Sequence, residues 1–167
     1  MSMKTSFRGQ LSCWRDETRQ QPVYKQILIA TDGSEIAHRA ISHGVELAKK
    51  TGAKLSAVTV TEPYEALMEL EAAVMMVKSD YDRRCAAFAL KIFSVVTSAA
   101  EAVGIKCDAL HQQNRLPYEG IIEAAEKVTA DLIVIGSHGR RGIQGLLLGS
   151  QTTKLLTHTK VPTLVVR

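Results

Sequence analysis

From Lys25 onward the sequence alternates short runs of β-branched and apolar residues with stretches of helical periodicity, and this alternation restricts the fold more than any other feature. "QILIAT" reads as a buried strand. "SEIAHRAISHGVELAKKTG" then reads as a helix: Ala37, Ala40, Ile41, Gly44 and Ala48 share one face, Ser34 caps the start, and Lys49, Lys50 and Gly52 mark the end. "KLSAVTV" is a second strand. The segment from Tyr64 to Val103 is mostly helical and too long for one packed helix, which predicts a break near Ser79 and Asp80. "IKCDALHQ" is a third, more polar strand. "LPYEGIIEAAEKVTA" is a helix with Pro117 in its first turn and Ile121, Ile122, Ala125 and Val128 on its core face. "DLIVIGS", "SQTTKLLTHT" and "VPTLVVR" complete the pattern as strand, short helix and strand. Strands alternating with helices imply an α/β fold: a five-stranded parallel open sheet with helices on both faces, joined by right-handed crossovers.

Length and composition limit what such a sheet can serve. The 167 residues suit one domain, assigned to 23–167, preceded by a weakly ordered extension over 1–22 in which Trp14 is the only anchor. That extension has no apolar core or cleavage pattern of a signal peptide, and Asp16 with Glu17 argue against a transit peptide. No apolar run approaches the roughly eighteen residues of a membrane span, so a cytoplasmic protein without membrane attachment is expected. The net charge is +4, and half of it lies in residues 1–22; with no basic stripe, nucleic acid is not an expected partner. Cys13, Cys85 and Cys107 are widely spaced and lack a C-x-x-C pairing, which points to free thiols rather than a disulfide framework or zinc site.

One stretch stands apart. "GSHGRRGIQGLLLGS", Gly136 to Ser150, holds five glycines in fifteen residues between the fourth strand and the last helix. Such a cluster needs either positive φ angles or something that approaches the backbone closely. Its position at the carboxyl end of a strand, where ligands collect in open α/β sheets, and at the entry of a helix whose free N–H groups attract anions, points to a phosphate chain. Arg140, Arg141 and the Ser150 hydroxyl add donors. The Walker pattern and G-x-G-x-x-G are both absent.

The spacing present is Gly136-x-x-Gly139, nine residues, then Gly149-Ser150. With "ILIATDGSE" and "VPTLVV" it resembles the ATP-binding branch of the universal stress protein family over residues 23–167. The resemblance implies a Rossmann-like fold of the adenine nucleotide alpha hydrolase type. It implies that Asp32 accepts hydrogen bonds from ribose hydroxyls, that Ala30 and Thr31 lie beside adenine, and that the Val60 backbone reads the adenine edge. Gly136, Gly139, Gly149, Ser150 and Gln151 then match the phosphate loop, with Gln151 less typical of the family. The stretch from Tyr64 to Lys78 matches a variable region and is given no role beyond that of a lid. ATP is the implied cofactor, with Mg²⁺ held mainly by its phosphates.

Several residues admit a plainer reading. Asp32 is a good helix cap, but Ser34 is available for that role. His138 has no carboxylate partner evident in sequence and reads as a phosphate-facing donor or a solvated residue rather than a catalytic group. His38 and His43 lie on different faces of their helix and read as surface residues. "VMMV" near residue 75 reads as packing. Three functions therefore remain open: an ATP-binding regulatory protein, a true ATPase or adenylyl-transferring enzyme whose H-x-G-H or S-G-G-x-D-S signature is missing, and a nucleotide-free interaction module. Pro162 marks "VPTLVVR" as an edge strand with nothing following it in the sequence as cover, which predicts a homodimer through that C-terminal edge, as the resemblance also implies.

Overall fold

The computed structural model describes residues 23–68, 77–139 and 148–167. The extension over 1–22, most of "VMMV", Arg140 and Arg141 lie outside the described residues. In chain order the elements are β1 (Gln26–Ala30), α1 (Glu35–Thr51), β2 (Lys54–Thr61), α2 (Tyr64–Met68), α3 (Lys78–Ala102), β3 (Cys107–Gln113), α4 (Pro117–Lys127), β4 (Leu132–Gly136), α5 (Ser150–His158) and β5 (Thr163–Val166). All strand pairs are parallel and the sheet runs β3-β2-β1-β4-β5. The chain winds outward from β1 to β3, then crosses back to β4, so the winding reverses between β1 and β4. That is where an open α/β sheet opens a crevice.

The alternation of side chains along β1 builds both layers. Ile27 and Ile29 join α1 and α3 through Ile41, Val45, Phe93 and Val96, while Leu28 and Ala30 face α4 and α5 through Ile121, Ala124 and Leu155. Ser34 caps α1 by accepting a hydrogen bond from the Ala37 N–H (3.2 Å), and Gly52 closes it in a left-handed conformation (φ 71°). His38 and His43 are exposed.

Three expectations shift. The interruption of the long helical segment precedes Lys78; Ser79 and Asp80 already belong to the first turn of α3, where an acidic residue suits the helix dipole and Asp80 also takes Arg83 (2.6 Å). By length and composition α3 is apolar enough to cross a membrane, contrary to the reading of the sequence. Its Cys85, Ala89, Ile92, Phe93, Val96 and Ala100 are instead buried in the protein. On α4 the fully buried face is Gly120, Ile121, Ala124 and Ala125, whereas Ile122 and Val128 are only partly covered. The face is rotated because α4 lies close to β2: a Cβ on Gly120 would come within 2.9 Å of Val60 Cγ1.

Candidate functional site

A cleft of about 1040 Å³ opens at the carboxyl ends of β1, β2 and β4. Every residue marked in the sequence as a nucleotide contact lines it, except Arg140 and Arg141, which are outside the described residues.

The first wall is made by "TDGS". The Thr31 N–H still donates to Val58 O (3.0 Å), extending the β1–β2 ladder by one residue, and the chain then turns through Gly33 at φ 77°. The positive φ is what calls for glycine there; a Cβ would also approach Ile92 Cγ1 at 3.2 Å. Asp32 Oδ1 accepts the Ser34 N–H (3.0 Å) and Thr31 Oγ1 accepts the Gly33 N–H (3.3 Å). Ser34 is thus the cap of α1, and Asp32 fixes the turn that leads into it.

Val60 presents backbone rather than side chain. Because Val58 O faces β1, the two-residue period of a strand turns the Val60 N–H and C=O the same way, beyond the point at which β1 has left the sheet. This is the disposition a base edge requires.

The second wall is the β4–α5 connection. Ser137 is buried, donates its N–H to Val166 O (2.6 Å) and accepts the Gly149 N–H on its carbonyl (2.7 Å). Thr152 Oγ1 donates to Gly136 O (3.0 Å), tying α5 to the end of β4. Gly149 is the N-cap of α5 and supplies no side-chain cap, so the N–H groups of that first turn point toward the cleft behind Ser150. His138 Nδ1 lies 3.0 Å from Ser137 Oγ; its partner is a hydroxyl. Gln151 lines the cleft, and its Oε1 accepts the Tyr118 N–H (3.3 Å) of the first turn of α4.

Neither Gly136 nor Gly149 has positive φ, a conformation that the described glycines adopt only at Gly33, Gly52 and Gly104. Space is what excludes side chains. A Cβ on Gly136 would lie 2.8 Å from Ile36 Cγ2, and one on Gly149 would lie 3.1 Å from His138 Cα. Of the two reasons a glycine cluster can have, close approach is the one that applies at Gly136 and Gly149, and protein atoms supply it.

Sequence reasoning missed the third wall. Tyr81, Arg84, Cys85 and Phe88 of α3, with Glu62 and Arg115, complete the cleft. The i, i+3, i+4, i+7 spacing of the four α3 residues does show that they share a stripe, but not that this stripe overhangs the strand ends. The Tyr81 hydroxyl donates to Glu62 O (2.6 Å), and its ring tilts against Tyr64 at 5.8 Å. Burial first, and then the neighbouring Cys85 thiol, push the Tyr81 phenol well above its ordinary range, so it remains a donor. Lys78 pairs with Glu65 and joins α3 to α2. Among the described residues no three His, Cys, Asp or Glu side chains converge as a metal-binding group. The arrangement is that of a binding cleft with the carboxylates of Asp32 and Glu62, backbone donors and acceptors, and a helix N-terminus.

Residues 23–167 match the universal stress protein family. The chain is 32% identical over 154 residues to the universal stress protein MJ0531 of Methanocaldococcus jannaschii, covering 87% of this chain and 83% of that one. Among solved structures it is similar to the hypothetical protein MJ0577, with a TM-score of 0.72 and 26% identity over 86% of this chain and 95% of the other. It is also similar to a universal stress protein in complex with cAMP, with a TM-score of 0.61 and 26% identity over 86% and 97% of the respective chains.

Proposed function

The chain belongs to the universal stress protein family, and from that premise we propose that it binds ATP and uses the nucleotide as a switch or as a slowly hydrolysed ligand. The observation that carries this reading is the convergence, in one cleft, of Asp32, the Val60 backbone and the α5 entry at Gly149 and Ser150. Their order across the sheet matches the order of a nucleotide's parts: a base edge at β2, a ribose acceptor at the end of β1, and an anion site at the β4–α5 connection. The cleft volume stands at the upper end of the ~300–1,000 Å³ typical of small-molecule sites. The family member captured with cAMP supports an adenine nucleotide as the ligand class.

In this reading Asp32 orients the ribose, Ala30 and Thr31 flank the base, and Gly136, Gly139, Gly149 and Ser150 accommodate the phosphates, with His138 and Arg140 as further donors. Mg²⁺ would be carried by phosphate oxygens and water, its usual habit. The protein works in the cytoplasm as a homodimer.

Nucleotide released by heat or acid from the purified protein tests the reading. An adenine nucleotide at near-stoichiometric amount is expected. An empty protein that also shows no calorimetric response to ATP leaves a nucleotide-free interaction module. Turnover should fall below the roughly 1–10³ s⁻¹ of ordinary enzymes, because among the described residues His138 Nδ1 lies against the Ser137 hydroxyl rather than a carboxylate. Steady-state phosphate release within that range would make the protein an ATPase instead.

A further inference from the structure

Gly139 stands against the one carboxylate that the nucleotide reading uses. Its φ is not positive, so the backbone does not demand glycine there. A Cβ at this position would lie 2.5 Å from Asp32 Oδ2, inside the 3.0 Å that real Cβ atoms keep. The other oxygen of the same carboxylate, Oδ1, accepts the Ser34 N–H at 3.0 Å. The carboxylate is therefore bracketed, with the α1 entry turn on one side and the β4–α5 connection on the other. Its two oxygens belong to one rigid planar group on a short side chain, so displacing Oδ2 rotates or withdraws Oδ1 as well.

We infer that Gly139 is a positioning residue for Asp32: it is glycine so that the carboxylate can lie against the loop, which sets the orientation in which Asp32 meets a ribose. The inference rests on the nucleotide-binding reading for its consequence, but the contact itself is a property of the ligand-free protein. It also reassigns the glycine, since a residue kept small for a phosphate would matter only to phosphorylated ligands. A residue kept small for Asp32 matters to every ligand that carries a ribose. Gly139→Val is then a poor probe of the phosphate loop, because its side chain meets Asp32 first.

The test is a double-mutant cycle of Gly139→Ala and Asp32→Ala, read by calorimetry with adenosine, 2′-deoxyadenosine and ATP, and by exchange of the Ser34 amide proton in the ligand-free proteins. The native protein should prefer adenosine to 2′-deoxyadenosine by about tenfold, the worth of a hydrogen bond to a charged group. Gly139→Ala should erase that preference, weaken adenosine and ATP by the same factor, and speed Ser34 exchange. In the Asp32→Ala background it should change none of these. Retained ribose preference in Gly139→Ala, effects that multiply in the double variant, or a loss confined to ATP would each overturn the inference. Should Gly139→Ala alone fail to fold, the double variant decides, because it must fold and bind as Asp32→Ala does. If the native protein binds none of the three ligands, the nucleotide reading has failed, and Ser34 exchange alone judges the contact between Gly139 and Asp32.

Discussion

At the scale of single residues, the division of labour between Asp32 and Ser34 separates binding from folding. Ser34 caps α1, and Asp32 accepts the Ser34 N–H within the turn that precedes it. Asp32→Ala should therefore weaken ATP by about 1.5–3 kcal/mol while lowering stability by only about 0.5–1.5 kcal/mol, as calorimetry and urea denaturation would show. A loss confined to stability would return Asp32 to a structural role. His111 offers a test by pH. It lies on β3 with Nε2 2.9 Å from Thr61 Oγ1, and burial pulls its pKa below the ordinary 6.5. Between the folded and unfolded values the unfolded chain binds more protons, so stability is complete above about 6.5 and is lost as pH falls toward the folded value. The urea midpoint should drop between pH 7 and pH 5, and His111→Gln should flatten that drop. An equal slope in the variant would mean that other groups carry it.

At the scale of elements, α1 shows packing overriding propensity. Alanine in a helix interior is favoured over glycine by roughly 0.8–1.0 kcal/mol. Yet a Cβ on Gly44 would lie 2.7 Å from Ile29 Cγ1 and Cδ1, and would push the helix off β1. Overpacking of this kind costs about 1–3 kcal/mol, so Gly44→Ala should destabilise the protein in spite of the better propensity. Gly52→Ala is the contrast. A Cβ there meets nothing within 4 Å, but φ is 71°, so the cost should be the roughly 1–2 kcal/mol of a left-handed non-glycine residue. Urea unfolding of both variants checks the pair; a stabilised Gly44→Ala would show that the helix yields. Much of α1 was legible in the sequence, because its period, cap and terminator are local. The reason for Gly44 was not, because Ile29 lies on another element.

At the scale of the whole molecule, the two sheet edges differ. β3 closes one side and exposes Asp108, a charged residue that discourages further pairing, while β5 closes the other with Leu164 38% exposed. The register of β5 shows which backbone groups are available. The carbonyls of Pro162 and Val166 accept N–H groups of Ile133 and Ser137, so these residues face β4 and the intervening Val165 turns its N–H and C=O outward. Val165→Pro thus removes an outward donor without touching the β4 ladder. A homodimer joined through β5 should scatter light as about twice 18.3 kDa, and folded Val165→Pro should shift toward monomer. A native monomer at micromolar concentration, or an undisturbed dimer in the variant, would move the interface elsewhere.

The order of elements, the parallel sheet, the Ser34 cap and the place of the cleft followed from the sequence, because apolar periodicity and capping chemistry act over a few neighbouring residues. The tertiary structure alone decided what presses on Gly136, Gly139 and Gly149, that Gln151 serves α4, and that a stripe of α3 walls the cleft. Each of these depends on atoms from elements remote in sequence meeting within about 4 Å, a distance at which packing decides and local pattern carries no signal.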